Sequence, residues 1–189
     1  DPHPFTVDLE RRYKVKGPLT FNLGSRSTFA SRAELRSHAE GGKTMIENTI
    51  TLTLEQPPER VFDFLTDLPN ELAWNPDCSA VEMLSLKPVG KGSTYRGLFR
   101  GMGQVRVELT AYERPHRFAT RERSRMATGD FEFVLTPHSE RTQVELRMKL
   151  RPHGPLRLLQ PLMRRKIGQF LADLPGHIQK GLDSADARA

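Results

Sequence analysis

Three side chains able to do proton or hydrogen-bond chemistry stand on apolar strand patterns: Tyr95 in STYRGLFR, and Thr120 and Glu122 in RFATRERS. Residues two apart on a strand share a face, so Thr120 and Glu122 point the same way as Phe118. A carboxyl held among apolar side chains loses the hydration that favours its charged form. Its pKa rises, and it can then give or take a proton near neutrality. Glu122 is therefore the candidate catalytic residue, with Tyr95 and Thr120 as candidate polar contacts for a ligand.

Other chemistry is poorly supplied. His3 and His38 fall in the N-terminal segment, His116 and His138 beside turn prolines, and His153 and His177 near or on the last helix. No His, Cys and carboxylate spacing makes a metal site, and no cofactor is expected. Cys78 has no neighbouring base and reads as a small buried residue. Gly101-Met102-Gly103 is a hairpin turn and not a phosphate loop, because no helix follows it.

The elements that must carry these residues begin at Met45. IENTITLTL (46–54) alternates apolar and polar residues and predicts a half-buried strand. Pro57 and Pro58 end it and suit the first turn of a helix, where Glu59 meets the positive end of the dipole. Val61, Phe62, Leu65 and Leu68 form its apolar stripe, Pro69 stops it, and ELAWNP makes a second short helical turn closed by Pro76. Six strands follow at 79–87, 93–100, 104–112, 117–124, 130–136 and 142–151, separated by short Gly and Pro turns that can join only antiparallel neighbours. Alternation turns inward Tyr95, Gly97 and Phe99; Val105, Val107, Leu109 and Ala111; Phe118 and Thr120; Phe131, Phe133 and Leu135; and Val144, Leu146, Met148 and Leu150. The opposite face is charged, so one side of the sheet needs a cover. Leu159, Met163, Ile167, Phe170, Leu174 and Ile178 supply it as the stripe of a C-terminal helix, with Pro161 in its first turn. Pro175 is expected to bend or break that helix.

Residues 1–44 show no sustained period and end in a Glu-Gly-Gly-Lys stretch. They read as a poorly ordered N-terminal extension to a domain spanning 45–189. The chain of 189 residues has 37% hydrophobic residues and a net charge of +6. The charge is divided evenly: residues 1–44 hold 8 basic and 5 acidic side chains, and the remainder 21 and 18. Mixed signs along the strands read as a solvated face, with Arg164-Arg165-Lys166 the densest basic cluster. No apolar run approaches the roughly 18–20 residues of a membrane span. One cysteine excludes an internal disulfide and fits a reducing, cytoplasmic location.

IENTITLTLEQPPERVFDFLTDL, the Trp74-Asn75-Pro76 after it, Gly90-Lys91-Gly92 before the next hairpin, and FEFVLTP before the last strand occur in an order that resembles the START-like (SRPBCC) superfamily, over residues 46 to about 184. The superfamily includes polyketide cyclases and the pollen-allergen family. The resemblance implies an α+β helix-grip fold: a curved antiparallel sheet of about seven strands wrapped around a long C-terminal helix, with two short helices after the first strand. It also implies a cavity between sheet and helix. The alternation above would line that cavity with Tyr95, Phe99, Phe118, Thr120, Phe131, Phe133, Met148, Met163, Ile167 and Phe170, and Trp74 would stand at its mouth. The function expected is binding, with transport as an extension, of a small hydrophobic, lipid-like or polycyclic ligand. The alternative is a cyclase or dehydratase using the same cavity, and a weaker one is an RNA or protein contact on the outer basic face. DNA is not an expected partner. The 44-residue leader and Pro175 depart from the family pattern.

Overall fold

The computed structural model describes residues 34–36, 45–86 and 88–187. Its first long strand, β2 (Ile46–Leu54), has the boundaries that the alternation predicts and buries Ile46, Ile50, Leu52 and Leu54 on one face. Helix α1 (Pro58–Thr66) starts with proline in its first turn and Glu59 beside it, and buries Val61, Phe62, Phe64 and Leu65. A 3-10 turn at Leu68–Asn70 carries the Pro69 break and leads into α2 (Glu71–Trp74). Strands β3 (Cys78–Met83), β4 (Thr94–Phe99), β5 (Gly103–Glu113), β6 (Arg117–Arg123), β7 (Ala127–His138) and β8 (Arg141–Pro152) form an antiparallel meander. β2 then closes the order by pairing with β8, from Ile46 opposite Leu150 to Leu54 opposite Thr142.

An eighth strand, β1 (Glu34–Arg36), pairs with Thr49–Thr51 at the β2 edge. It falls inside the segment read from sequence as an extension; the rest of that segment lies outside the described residues. Three residues are too few to show a period of two.

Strand β5 corrects one inward assignment. Leu109 faces Thr120, but a bulge follows and sets Ala111 opposite Ala119, which is on the outer face of β6. One extra residue flips the parity beyond it. Tyr112, opposite Phe118, therefore turns inward in place of Ala111, and its ring meets Phe62 edge-on with centroids 5.0 Å apart. Phe62 also meets Phe118 edge-on at 5.5 Å, and Phe118 stacks on Phe133 at 4.4 Å. These rings fasten α1 to the centre of the sheet.

The cover is α3 (Gln160–Asp186), preceded by a 3-10 segment at Gly154–Leu159. It runs on through Pro175, and of the bend or break expected there this rules out the break. Proline removes one backbone hydrogen bond. Leu171, Leu174, Ile178 and Leu182 are all buried on either side of it, and burying aliphatic side chains at about 1.5–3 kcal/mol each outweighs that loss. Gly181 sets how close α2 comes to α3: a Cβ there would lie 2.8 Å from Trp74 Cβ and 3.0 Å from the Phe64 ring.

Candidate functional site: a carboxyl pair between sheet and helix

Along β7 the inward positions are Ala127, Gly129, Phe131, Phe133 and Leu135. The outer ones of this series are buried, while Phe131 and Phe133 in the middle keep accessible surface. A sheet packed flush against its cover buries its centre most deeply. Here the centre is the more accessible part, as it would be beneath a hollow. Phe99, Met163, Ile167, Phe170 and Trp74 are also half-buried while packed against the core. Tyr95, Phe118, Thr120 and Met148 are buried outright.

Two glycines shape the floor. The Phe131 ring folds back over Gly129, with its edge 2.6 Å from where a Cβ would stand, and the Phe99 ring occupies the Cβ position of Gly97. Without side chains at 97 and 129, both rings lie down on the sheet instead of standing into the space above it.

Glu122 faces this space from β6, between Val107 on β5 and Gly129 on β7. Burial pushes its pKa up to about 7 from 4.5. Glu71, in the first turn of α2, is pushed up further, to about 8; burial is the main cause, the Glu122 charge adds to it, and a hydrogen bond from Asn75 opposes it. Their mutual repulsion places the two carboxyls near each other. Each keeps some accessible surface although heavily desolvated, which fits a side chain facing an interior space rather than bulk water. Both carboxyls are raised towards neutrality, Glu71 further than Glu122, so one can hold a proton while the other ionises. That arrangement can deliver one proton and accept another.

The surroundings are polar only in places. Trp74 Nε1 and His177 Nδ1 are buried without a hydrogen-bond partner in the protein. His177 lies one helical turn before Gly181, the residue that receives Trp74. Tyr95 donates only a long hydrogen bond, 3.5 Å, to the Thr66 carbonyl, and burial pushes its phenol up to about 12. Cys78 begins β3 and donates from Sγ to the Ala80 carbonyl at 3.8 Å; burial first and the Glu71 charge second push its thiol up to about 12. No group of three His, Cys, Asp or Glu side chains converges as metal ligands would among the described residues.

Glu71 was missed by reasoning from sequence. ELAW is a single helical turn, too short for a period to define its inner face. The available signal was an acid beside the only tryptophan, in the turn that the chain must use to return to the sheet.

A curved antiparallel sheet gripping a long C-terminal helix, with two short helices after the opening long strand, defines the helix-grip class. Residues 45–187 match the family model described as polyketide cyclase / dehydrase and lipid transport, and the chain belongs to that family. Among solved structures, it is similar to TTHA0849 of Thermus thermophilus, with 19% identity and a TM-score of 0.62, over 74% of this chain and 98% of that one. A START superfamily protein from Mycobacterium smegmatis gives 13% identity and a TM-score of 0.61 over 75% and 99%. The di-domain ARO/CYC BexL from the BE-7585A biosynthetic pathway gives 14% and 0.55, over 78% of this chain and 51% of that one. No curated protein matches by sequence. No helix among the described residues is long and apolar enough to cross a membrane.

Proposed function

We propose that the chain binds a small, mostly apolar ligand between the concave sheet and α3, with a polar group of that ligand set against Glu71 and Glu122. The observation that carries this reading is the accessible centre of the inward face, at Phe131 and Phe133, beside two carboxyls that have no cationic partner among the described residues. Phe99, Met163, Ile167 and Phe170 would complete the apolar wall. Mass spectrometry of a solvent extract of the purified protein tests the proposal directly: a stoichiometric lipid-like or polycyclic compound supports it. An empty extract, together with no saturable change in Trp74 emission on titrating fatty acids and polycyclic aromatics, sinks it.

A second reading, a dehydratase or cyclase, is favoured by the carboxyl pair specifically. Ionised Glu122 would remove a proton from carbon next to a carbonyl; the electron pair left behind would form the carbon–carbon double bond. Protonated Glu71 would give its proton to the departing hydroxyl, which leaves as water. Glu122→Gln would then abolish turnover with ligand affinity retained, since shape is kept and only titration is lost. The outer face supports the weaker RNA or protein reading less. In its middle, Arg117, Arg121 and Arg147 are paired with Glu132, Asp130 and Glu145.

A further inference from the structure

The hairpin turns of β4–β5 and β6–β7, the end of β8 and the start of β2 all lie at one end of the sheet, since Pro152 pairs with Ala127 and Ile46 with Leu150. From that end the chain enters the 3-10 segment and the start of α3, where Leu158 is 84% exposed, Leu159 50% and Leu162 55%. Large aliphatic side chains so exposed, and so close together, are unusual on a surface that meets only water. The segment is also basic throughout. From Leu146 to Ala172 the sequence has Arg147, Lys149, Arg151, Arg157, Arg164, Arg165 and Lys166 and no acidic residue. Arg100 and Arg125 join them from the two hairpin turns; the nearby acids are Asp77 just before β3 and Glu47 opposite Lys149 at the start of β2.

The pairing of these charges separates this end from the rest of the molecule. Arg60, Arg96, Arg114, Arg117, Arg121, Arg141 and Arg147 each lie within ion-pair distance of a carboxylate. Arg100, Arg125, Arg151, Arg157, Arg164, Arg165 and Lys166 have no such partner among the described residues. Arg164 donates to the Met45 carbonyl at 2.8 Å and Arg157 to the Pro152 carbonyl at 3.3 Å. Those bonds fasten the segment to the sheet and leave its charge uncompensated. Unpaired cations around projecting leucines fit one surface chemistry best: anionic headgroups for the cations and acyl chains just beneath for the leucines. A nucleic acid would satisfy the cations and leave the leucines in water.

We propose that this end of the molecule, with Leu158, Leu159 and Leu162 projecting among Arg157, Arg164, Arg165 and Lys166, docks on an anionic lipid bilayer. The surface stands apart from whatever the hollow holds, but its position has a consequence for it. One turn further along α3 the exposed leucines give way to Met163 and Ile167, which face inward. An apolar ligand leaving the bilayer at this end would meet apolar side chains all the way into the hollow.

The test is co-sedimentation of the full chain with vesicles of phosphatidylcholine alone and of phosphatidylcholine with about 30% phosphatidylglycerol. Partition into the anionic vesicles is expected at about 0.1 M salt, and its loss at about 1 M, where charge interactions are screened within roughly 3 Å. Leu158→Ser/Leu159→Ser/Leu162→Ser should reduce partition about tenfold or more, because each leucine contributes only by entering the apolar layer. Arg164→Glu/Arg165→Glu should reduce it at least as much, at about fivefold per cation removed. The three leucines and Arg165 are exposed, whereas Arg164 is half-buried and bonded to the Met45 carbonyl. Circular dichroism checks that each variant stays folded, and Arg165→Glu/Lys166→Glu, at two exposed positions, should lose partition alike. Lys180→Glu, at the far end of α3, should bind as the parent does. No partition into either vesicle overturns the proposal, as does undiminished partition of the leucine variant. Salt-sensitive binding to single-stranded RNA without vesicle binding would also overturn it and make nucleic acid the partner.

Discussion

Replacing Glu122 by glutamine should make the protein more stable, and only above acidic pH. The unfolded chain releases the Glu122 proton near 4.5, whereas the folded protein holds it to about 7. Between those values the unfolded state binds fewer protons than the folded one, so stability falls as pH rises. The contribution of the protonated carboxyl is fully present below pH 4.5 and is gone above pH 7; for Glu71 the loss continues to about pH 8. At about 1.4 kcal/mol per pKa unit, ionisation of Glu122 in the fold costs on the order of 3 kcal/mol, and entry of water into the hollow reduces this, giving an expected gain of about 1–3 kcal/mol for Glu122→Gln at pH 8.

Glutamine keeps the shape and cannot ionise. Urea unfolding of parent and variant at pH 4.5 and pH 8 isolates Glu122 and its coupling to Glu71, because titrations away from this pair cancel in the difference. The stability difference should be near zero at pH 4.5 and in that range at pH 8. Glu71→Gln should behave alike, with a smaller gain in the Glu122→Gln background, because the Glu122 charge is part of what raises Glu71 and coupled neighbours do not add. A variant no more stable than the parent at pH 8, or a gain equal at both pH values, would refute the buried-carboxyl account.

Further outcomes test the hollow and its walls. Gly97→Ala should displace the Phe99 ring from the sheet into the ligand space and lower both ligand affinity and, by about 1–3 kcal/mol, stability; calorimetry and thermal melts read the two separately. Gly181→Ala should lower the melting temperature even though alanine favours helix by about 1 kcal/mol, since its Cβ would press on Trp74 and Phe64. Cys78, with its thiol pushed up to about 12, should react with a disulfide reagent at pH 8 far more slowly than free cysteine, and rapid labelling would show that the strand start opens to solvent. Removing residues 1–44, and β1 with them, should shift the melting temperature by no more than the few degrees that about 1 kcal/mol produces; a larger fall would show that the leader packs on the core.

What could be read from the sequence, and what could not, follows from how far each signal reaches along the chain. A period of two needs only a few residues, so β2 was legible to its last residue, and the inward rows of β4, β6, β7 and β8 followed from the same rule. That rule fails where a single residue is inserted, and nothing in QVRVELTAY marks the bulge that turns Ala111 out and Tyr112 in. Pro175 misled for the opposite reason. Its local effect is certain, but whether a helix survives it depends on Leu171, Leu174, Ile178 and Leu182 being buried once the helix packs on β2 and α2, which is a property of the whole fold. The site divides in the same way. Glu122 lies on a strand whose parity points it inward, so one carboxyl was visible. Glu71 lies in a turn without a period, and what gives it chemistry is the proximity of Glu122, a contact made only when α2 closes over the sheet and Gly181 lets Trp74 seat against α3. The pairing of two carboxyls is thus a tertiary event, and no local pattern along the chain announces it.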